Sequence, residues 1–248
     1  MDGALVSVEH VSVYYHTPQG ETGAVRDLSF SVKRGEFVAV VGPSGCGKTT
    51  MLSLIMGLNR PSAGQVRFPQ GPCPMGYMLQ RDNLLEWRTL ERNATLGLEV
   101  RHALTDESRA KTVGLLQKYG LGQFLSYLPG QLSGGMRQKA ALIRTLALDP
   151  ELLLLDEPFS ALDYQTRLTL ADEVFAIIHE EGKTALLVTH DIGEAVSMAD
   201  RVLIFSDRPA ALQREVALDF PREMTPLERR ESPAFQGFFT AIWKELKR

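Results

Sequence analysis

Cysteine is scarce in this sequence: only Cys46 and Cys73 occur among 248 residues. Two thiols cannot build a disulfide framework, and their scarcity suits a reducing, cytosolic setting. Long apolar runs are missing as well. No stretch approaches the ~20 residues that a helix needs to cross a bilayer, so work at a membrane would require another chain to hold this one there. The opening Met1-Asp2-Gly3-Ala4 begins with an acid, where a secretory leader carries bases. Basic excess is absent too: 27 Lys and Arg stand against 30 Asp and Glu, a net charge of -3. That balance argues against nucleic acid as a partner. There is neither an internal repeat nor a low-complexity tract.

What is there fits a packed soluble domain, or one domain with a lobe: 44% of residues are hydrophobic and 23% charged. Strand signals fill the first forty residues, at Leu5 to Val13, at Phe30 and Val32, and at Phe37-Val38-Ala39-Val40-Val41. A helix is expected over Thr49 to Leu58, stopped near Gly57 and Asn59. A short strand follows at Gln65 to Phe68, then a Pro/Gly-rich loop from Pro69 to Gly76. From Trp87 to Leu148 the character is helical, with helices over Glu107 to Tyr119 and Met136 to Leu148. Strands return at Leu152 to Leu155, Ala185 to Val188 and Val202 to Phe205, with a long helix over Tyr164 to Glu181. Such alternation predicts a mainly parallel sheet covered on both faces, with the middle helices as an inserted lobe.

The most specific local pattern is Gly42-Pro43-Ser44-Gly45-Cys46-Gly47-Lys48-Thr49, which fits G-x-x-x-x-G-K-[ST] between an apolar strand and a helix. Glycines let the loop turn its N–H groups inward onto phosphate oxygens, and the helix N-terminus adds partial positive charge. Lys48 is expected on the β- and γ-phosphates and Thr49 on Mg²⁺, with Thr50 next in the nucleotide-binding set. Leu152-Leu153-Leu154-Leu155-Asp156-Glu157 is an apolar strand ending in two carboxylates. Asp156 at its tip suits Mg²⁺, and Glu157 can polarise an attacking water. Alone, the pair would read equally well as an acidic turn after a buried strand.

Leu132-Ser133-Gly134-Gly135-Met136-Arg137-Gln138 opens a helix. Taken singly it is an ordinary Ser/Gly cap or a second phosphate cradle. The whole set decides between them, because from about Leu5 to Phe205 the chain resembles the nucleotide-binding subunits of ATP-binding cassette (ABC) transporters. Six motifs fall in that family's order: Walker A at Gly42 to Thr49, the Q-loop at Gln80, the signature at Leu132 to Gln138, Walker B at Leu152 to Glu157, the D-loop at Ser160-Ala161-Leu162-Asp163, and the switch histidine at His190. Tyr15, or less closely Tyr14, stands where the family stacks an aromatic on adenine.

The resemblance implies an α/β P-loop NTPase fold, a RecA-like parallel sheet core with an antiparallel β subdomain, plus an inserted α-helical subdomain. Residues 1–86 and 150–220 would form the core with its N-terminal β part, 87–149 the helical part and 221–248 a C-terminal helical tail. It further implies ATP and Mg²⁺ as ligands, with Gln80 joining Thr49 and Asp156 around the metal. Two cassettes would pair head to tail, so that Ser133, Gly134 and Gly135 close the partner's ATP. Glu157 would activate water while His190 and Gln80 sense the γ-phosphate, and hydrolysis would open the dimer. Permease subunits and, through them, an extracytoplasmic binding protein are the implied partners. The place of work is then the cytoplasmic face of the plasma membrane.

The wording of the signature and D-loop, and of Leu84-Leu85-Glu86-Trp87-Arg88-Thr89, looks closest to the importers of nitrate, sulfonates, taurine and similar small solutes. Departures are Glu86 where that branch has proline, Lys139-Ala140 after the signature, and Met51 in place of leucine. The solute itself is not written in this chain. Phe235, Phe238, Phe239, Ile242, Trp243 and Leu246 recur at helical spacing, and a helix docked on its own domain is expected there rather than one lying on a membrane. After Phe205 too few residues remain for a regulatory domain. Cys46 is expected to fill space, with blockage of ATP by alkylation as the sharper alternative. A soluble ABC ATPase of repair or translation would carry coiled-coil insertions or two cassettes. A non-hydrolysing relative would lack Glu157, Lys48 or His190, and a small-molecule kinase would have no use for Ser133-Gly134-Gly135.

Overall fold

The computed structural model describes residues 3–17 and 20–247. Two long strands, β1 (Ala4–Thr17) and β2 (Gly20–Lys33), pair antiparallel, and β4 (Ala63–Arg67) joins the free edge of β1 to give a three-stranded sheet. The second sheet has six strands in the order β5 (Met75–Met78), β6 (Leu152–Asp156), β7 (Thr184–Thr189), β3 (Phe37–Val41), β8 (Arg201–Phe205) and β9 (Leu212–Ala217). All are parallel except β9, which runs antiparallel to β8. Helix α1 (Lys48–Ile55) follows β3.

The central strands read as unbroken apolar runs because both of their faces are covered. Side chains alternate between the two. Phe37, Ala39, Val41, Leu153, Leu155, Ala185 and Leu187 join one buried cluster, whereas Val38, Val40, Leu152, Leu154, Leu186 and Val188 join the other. The first cluster is filled by α5 (Gly134–Leu146), α6 (Tyr164–Glu180) and α7 (Ile192–Met198). The second is filled by α1 and the three-stranded sheet. At about 1.5–3 kcal/mol for each large apolar side chain fully buried, this double layer carries most of the favourable free energy of the core.

The middle of the chain is helical, as expected: α2 (Leu90–Ala94), α3 (Leu96–Val100) and α4 (Asp106–Lys118) precede α5. Thr105 caps α4 by accepting from Ser108 N–H, and Ser133 caps α5 by accepting from Met136 N–H. Two further helices, α8 (Pro226–Glu231) and α9 (Pro233–Leu246), close the C-terminal part. Ile242 is fully buried there, and Phe235, Phe238, Phe239 and Leu246 pack on the first cluster, so α9 docks on its own domain. Trp243 leaves that stripe and is 47% exposed, with the Lys247 ammonium 4.7 Å from the ring centre.

Four elements depart from the expectation. The loop expected over Pro69 to Gly76 ends early, because Met75 and Gly76 already belong to β5. That strand is short, and the prolines and glycines before it hide its pattern. Helix α1 ends at Ile55, before Gly57. Helix α7 and strand β9 were not anticipated at all.

Candidate active site

Strands β3, β6 and β7 end at one edge of the parallel sheet, and the loops leaving them carry the motif residues. This is where open parallel sheets bind ligands. The loop after β3 is held in place from below. Gly47 has φ 129°, and a Cβ on it would meet the Ala24 carbonyl oxygen at 2.5 Å, so only glycine fits. Lys48 is buried, and its ammonium donates to the carbonyls of Gly42 (2.7 Å) and Pro43 (2.9 Å), which lays the side chain along the loop. Thr49 and Thr50 lie in the first turn of α1, at the positive end of its dipole. Ser44 and Gly45 are exposed at the crest of the loop.

Asp156 sits at the tip of β6. Its Oδ1 accepts the Thr49 hydroxyl at 3.3 Å and its Oδ2 accepts the Tyr77 hydroxyl at 3.1 Å. Burial pushes the Asp156 carboxyl above its usual range, against the pull of those two hydroxyls. Burial, and then the charge on Asp156, likewise raise the Tyr77 phenol. A penalised carboxylate beside a hydroxyl is a hard-oxygen donor pair that a small divalent cation would satisfy. Among the described residues no group of three or more His, Cys, Asp or Glu could hold a metal without help.

Glu157 takes a left-handed backbone conformation, with φ 46°, and its N–H is held by the Val188 carbonyl at 2.8 Å. For a residue other than glycine this costs about 1–2 kcal/mol, and strain of this kind clusters at functional sites. The turn aims the carboxylate at two neighbours. His190 Nδ1 lies 3.0 Å from Glu157 Oε2, and Gln80 Nε2 donates to the same oxygen at 3.4 Å. Gln80 also donates to the Ser160 hydroxyl at 3.2 Å. The fold therefore gathers Lys48, Thr49, Gln80, Asp156, Glu157 and His190 on one rim.

Tyr15 is 40% exposed on β1, paired with Thr22. Thr22 is two residues before Ala24, against which Gly47 rests, so Tyr15 stands one strand over from the loop. Tyr14 lies over Gly23. Ser133, Gly134 and Gly135 do not join the rim. They start α5, where a Cβ on Gly134 would come 3.0 Å from Leu162 Cδ2 and one on Gly135 would come 3.2 Å from Thr166 Cγ2. No hydrogen bond among the described residues links them to Gly42–Thr49.

The family model described as ABC transporter matches residues 25–160. The chain belongs to that family. It is 49% identical over 251 residues to the uncharacterized ABC transporter ATP-binding protein YtlC of Bacillus subtilis (strain 168), with 98% of this chain and 96% of the other covered. It is 41% identical to the taurine import ATP-binding protein TauB of Yersinia pestis, over 79% of each chain. Among solved structures, the ATP-binding cassette MJ0796, a dimer in a post-hydrolysis state bound to ADP and Pi, superposes with a TM-score of 0.74 at 31% identity. The match covers 87% of this chain and all of that one. The protein is thus an ABC-type ATPase with the cassette fold and importer-type relatives, and its likeness to the taurine branch was legible in the wording of its motifs.

Tyr77 and Arg144 escaped the sequence reading, and so did the contact that Arg137 of the signature makes. Tyr77 was missed because β5 was missed, although it stands three residues before Gln80. Arg137 donates to Asp82 Oδ2 (3.1 Å) and Arg144 to the carbonyls of Asp82 and Asn83 (2.6 and 2.7 Å), which fastens α5 to the segment after Gln80. No local pattern announces such pairs, which lie some 55 to 62 residues apart in sequence.

The second reading of Cys46 is corrected. Its side chain is 1% exposed, packs in the second cluster beneath Gly42, and burial pushes its thiol pKa upward. Buried, protonated thiols are inert. Maleimide at neutral pH is therefore expected to label Cys73 well before Cys46, with or without MgATP, as peptide mass mapping would show.

Proposed function

We propose that this cassette is the ATP-hydrolysing subunit of an importer for a small solute of the nitrate, sulfonate or taurine class. It would work as one of two cassettes bound to permease subunits at the cytoplasmic face of the membrane. The observation that carries the reading is the split of the motif residues: six of them share one rim, while the start of α5 makes no hydrogen bond to the Gly42–Thr49 loop among the described residues, with Gly134 against Leu162 and Gly135 against Thr166 instead. An ATP on the rim of one chain is then completed by the α5 start of a second chain, and a head-to-tail pair satisfies both sites.

The roles proposed with this reading are supported by the positions of the residues. The loop N–H groups and the α1 terminus receive the phosphates. Lys48 exchanges the loop carbonyls for phosphate oxygens, and Tyr15 offers its ring to the adenine. Thr49 and Asp156, with Gln80 beside them, would hold Mg²⁺, which neutralises charge on the β- and γ-phosphates when bound. Glu157 polarises the attacking water and His190, fixed by Glu157, reads the γ-phosphate. The division into a core (1–86 and 150–220), a helical part (87–149) and a tail (221–248) is proposed with these roles.

No helix among the described residues is long and apolar enough to cross a membrane, so the solute path needs another chain. A groove of about 310 Å³ between the Gln80–Glu86 segment and the start of α5 is the proposed seat of the permease. Beside it Trp87 is 77% exposed, and Glu86 offers a charge to a basic residue. The test is purification of the tagged chain from its own membranes in mild detergent. Integral membrane chains are expected to co-purify stoichiometrically, and Glu86→Lys with Trp87→Ala should release them while leaving ATP binding intact. A fully active cassette that never carries a membrane chain would refute the importer reading.

A further inference from the structure

Arg167, in the first turn of α6, is the only residue of this region whose side chain reaches both the D-loop and the switch loop among the described contacts. Its Nη2 donates to the Leu162 carbonyl at 3.1 Å, and its Nη1 donates to Asp191 Oδ2 at 3.3 Å. Its Nε stands 3.7 Å from Glu194 Oε1. The acceptors are themselves interlocked. Glu194, 3% exposed, accepts the Thr189 hydroxyl at 2.6 Å, and that same oxygen accepts the Asp191 N–H at 3.0 Å. Asp191 Oδ1 in turn caps α7 by accepting Glu194 N–H at 3.1 Å. His190 lies between Thr189 and Asp191, so its backbone is held on both sides by groups that converge on one guanidinium.

The other end of the chain of contacts is equally tight. Leu162, whose carbonyl Arg167 holds, is the residue against which Gly134 packs, and Thr166, next to Arg167, is the one against which Gly135 packs. A shift at the start of α5 therefore presses on the segment that Arg167 ties to the switch loop. A planar guanidinium suits this place because it presents several donors in a fixed fork, which an ammonium cannot.

We propose that Arg167 is a positioning residue for His190, transmitting the seating of the signature segment and D-loop to the switch histidine of the same chain. This deepens the proposed two-cassette reading and rests on it. In that arrangement a chain's signature closes its partner's ATP while its His190 serves its own. Arg167 then ties the state of one ATP site to the competence of the other.

The test compares the unaltered chain with variants of it. Arg167→Met keeps the aliphatic stem and should lower kcat for ATP hydrolysis about 10- to 100-fold, the effect of misplacing a reacting group by roughly an ångström, while KM changes less than about threefold. Arg167→Lys should recover less than half of that loss. The chain has five histidines, so its long-range ¹H–¹⁵N histidine spectrum should show five imidazoles. The His190 signal, assigned by its loss in His190→Gln, should move in Arg167→Met while the others stay. If Arg167→Met does not fold, Asp191→Asn carries the test, since the asparagine oxygen keeps the cap while its NH2 replaces the oxygen that accepts from the guanidinium, which removes both the charge and the hydrogen bond. The same direction with a smaller kcat loss is expected. An unchanged His190 signal, an unchanged kcat, or full rescue by lysine would overturn the proposal. Failure of the sandwich is read separately: Glu157→Gln alone should dimerise with ATP, and if it does, Glu157→Gln with Arg167→Met should as well. Loss of the dimer only in the double variant would make Arg167 an interface residue and overturn its assignment to His190.

Discussion

Glu157→Gln is expected to bind ATP with nearly unchanged affinity, to hydrolyse it about 10²- to 10⁴-fold more slowly, and to accumulate as a dimer in the presence of MgATP. The change removes basicity and leaves shape. The glutamine amide oxygen can still accept from His190 Nδ1, now 3.0 Å from the carboxylate, and from Gln80 Nε2 at 3.4 Å. The strained turn at φ 46° is a property of the backbone and stays. Lys48, Thr49 and Asp156 are untouched, so the groups that would hold phosphate and Mg²⁺ remain. What is lost is the one carboxylate on the rim that is free of the Thr49–Asp156 pair and able to take a proton from water. With the γ-phosphate retained, the second chain's Ser133 and Gly135 have no reason to let go. Phosphate release in a coupled assay measures the first part and size-exclusion chromatography with and without ATP the second. A chain that stops hydrolysing yet stays monomeric at saturating MgATP would speak against the sandwich, whereas an undiminished rate would remove Glu157 from the chemistry.

The parts of the fold that were legible in the sequence are those whose physics is local. Phe37 to Val41 and Leu152 to Leu155 announce buried parallel strands because both faces of the sheet are covered, so every side chain is apolar. Ser133 announces a helix start because a short polar side chain there accepts from an orphan N–H three residues on. The Gly42 to Thr49 loop is legible because its conformation demands glycine at fixed places. What was not legible depends on partners far along the chain. Strand β5 has four residues, and its glycine is there because α5 packs on it: a Cβ on Gly76 would meet Thr145 at 2.4 Å. Helix α7 is buried on all sides, so it shows no amphipathic stripe. Arg229 looks like a surface arginine in a charged run. It is 1% exposed, held by the carbonyls of Ser197 and Ala199 and lying against Phe175 and Phe220. Tyr77 and Arg167 belong to the same class, with roles set by tertiary contacts that local pattern does not encode.

Gly47→Ala should reduce ATP affinity by about two orders of magnitude or more and lower the melting temperature by several degrees, whereas Gly45→Ala, two residues earlier in the same motif, should do far less. The two glycines differ in what lies behind them. Gly45 has φ 75° and open space where a Cβ would go, so alanine there meets only backbone strain of about 1–2 kcal/mol. At Gly47 the backbone is at φ 129°, and the added carbon would stand 2.5 Å from the Ala24 oxygen and 3.3 Å from Ala210 Cβ. That oxygen cannot retreat, because it accepts the Ala210 N–H at 2.9 Å, and the Ala210 N–H also reaches the Cys46 carbonyl at 3.2 Å. The Ala210 carbonyl in turn accepts Arg26 N–H at 2.9 Å, which ties β2 to the segment before β9. Three parts of the chain thus meet under the phosphate loop, and the clash must be relieved by the loop itself. Its N–H groups would then no longer converge on one point, and Lys48 and Thr49, the next two residues, would leave the line to Asp156. Titration of a fluorescent ATP analogue and thermal melts of both variants separate the cases. Equal losses at Gly45 and Gly47 would mean that glycine is needed for conformational freedom alone; a large excess at Gly47 would mean that the phosphate site depends on how closely it lies on β2.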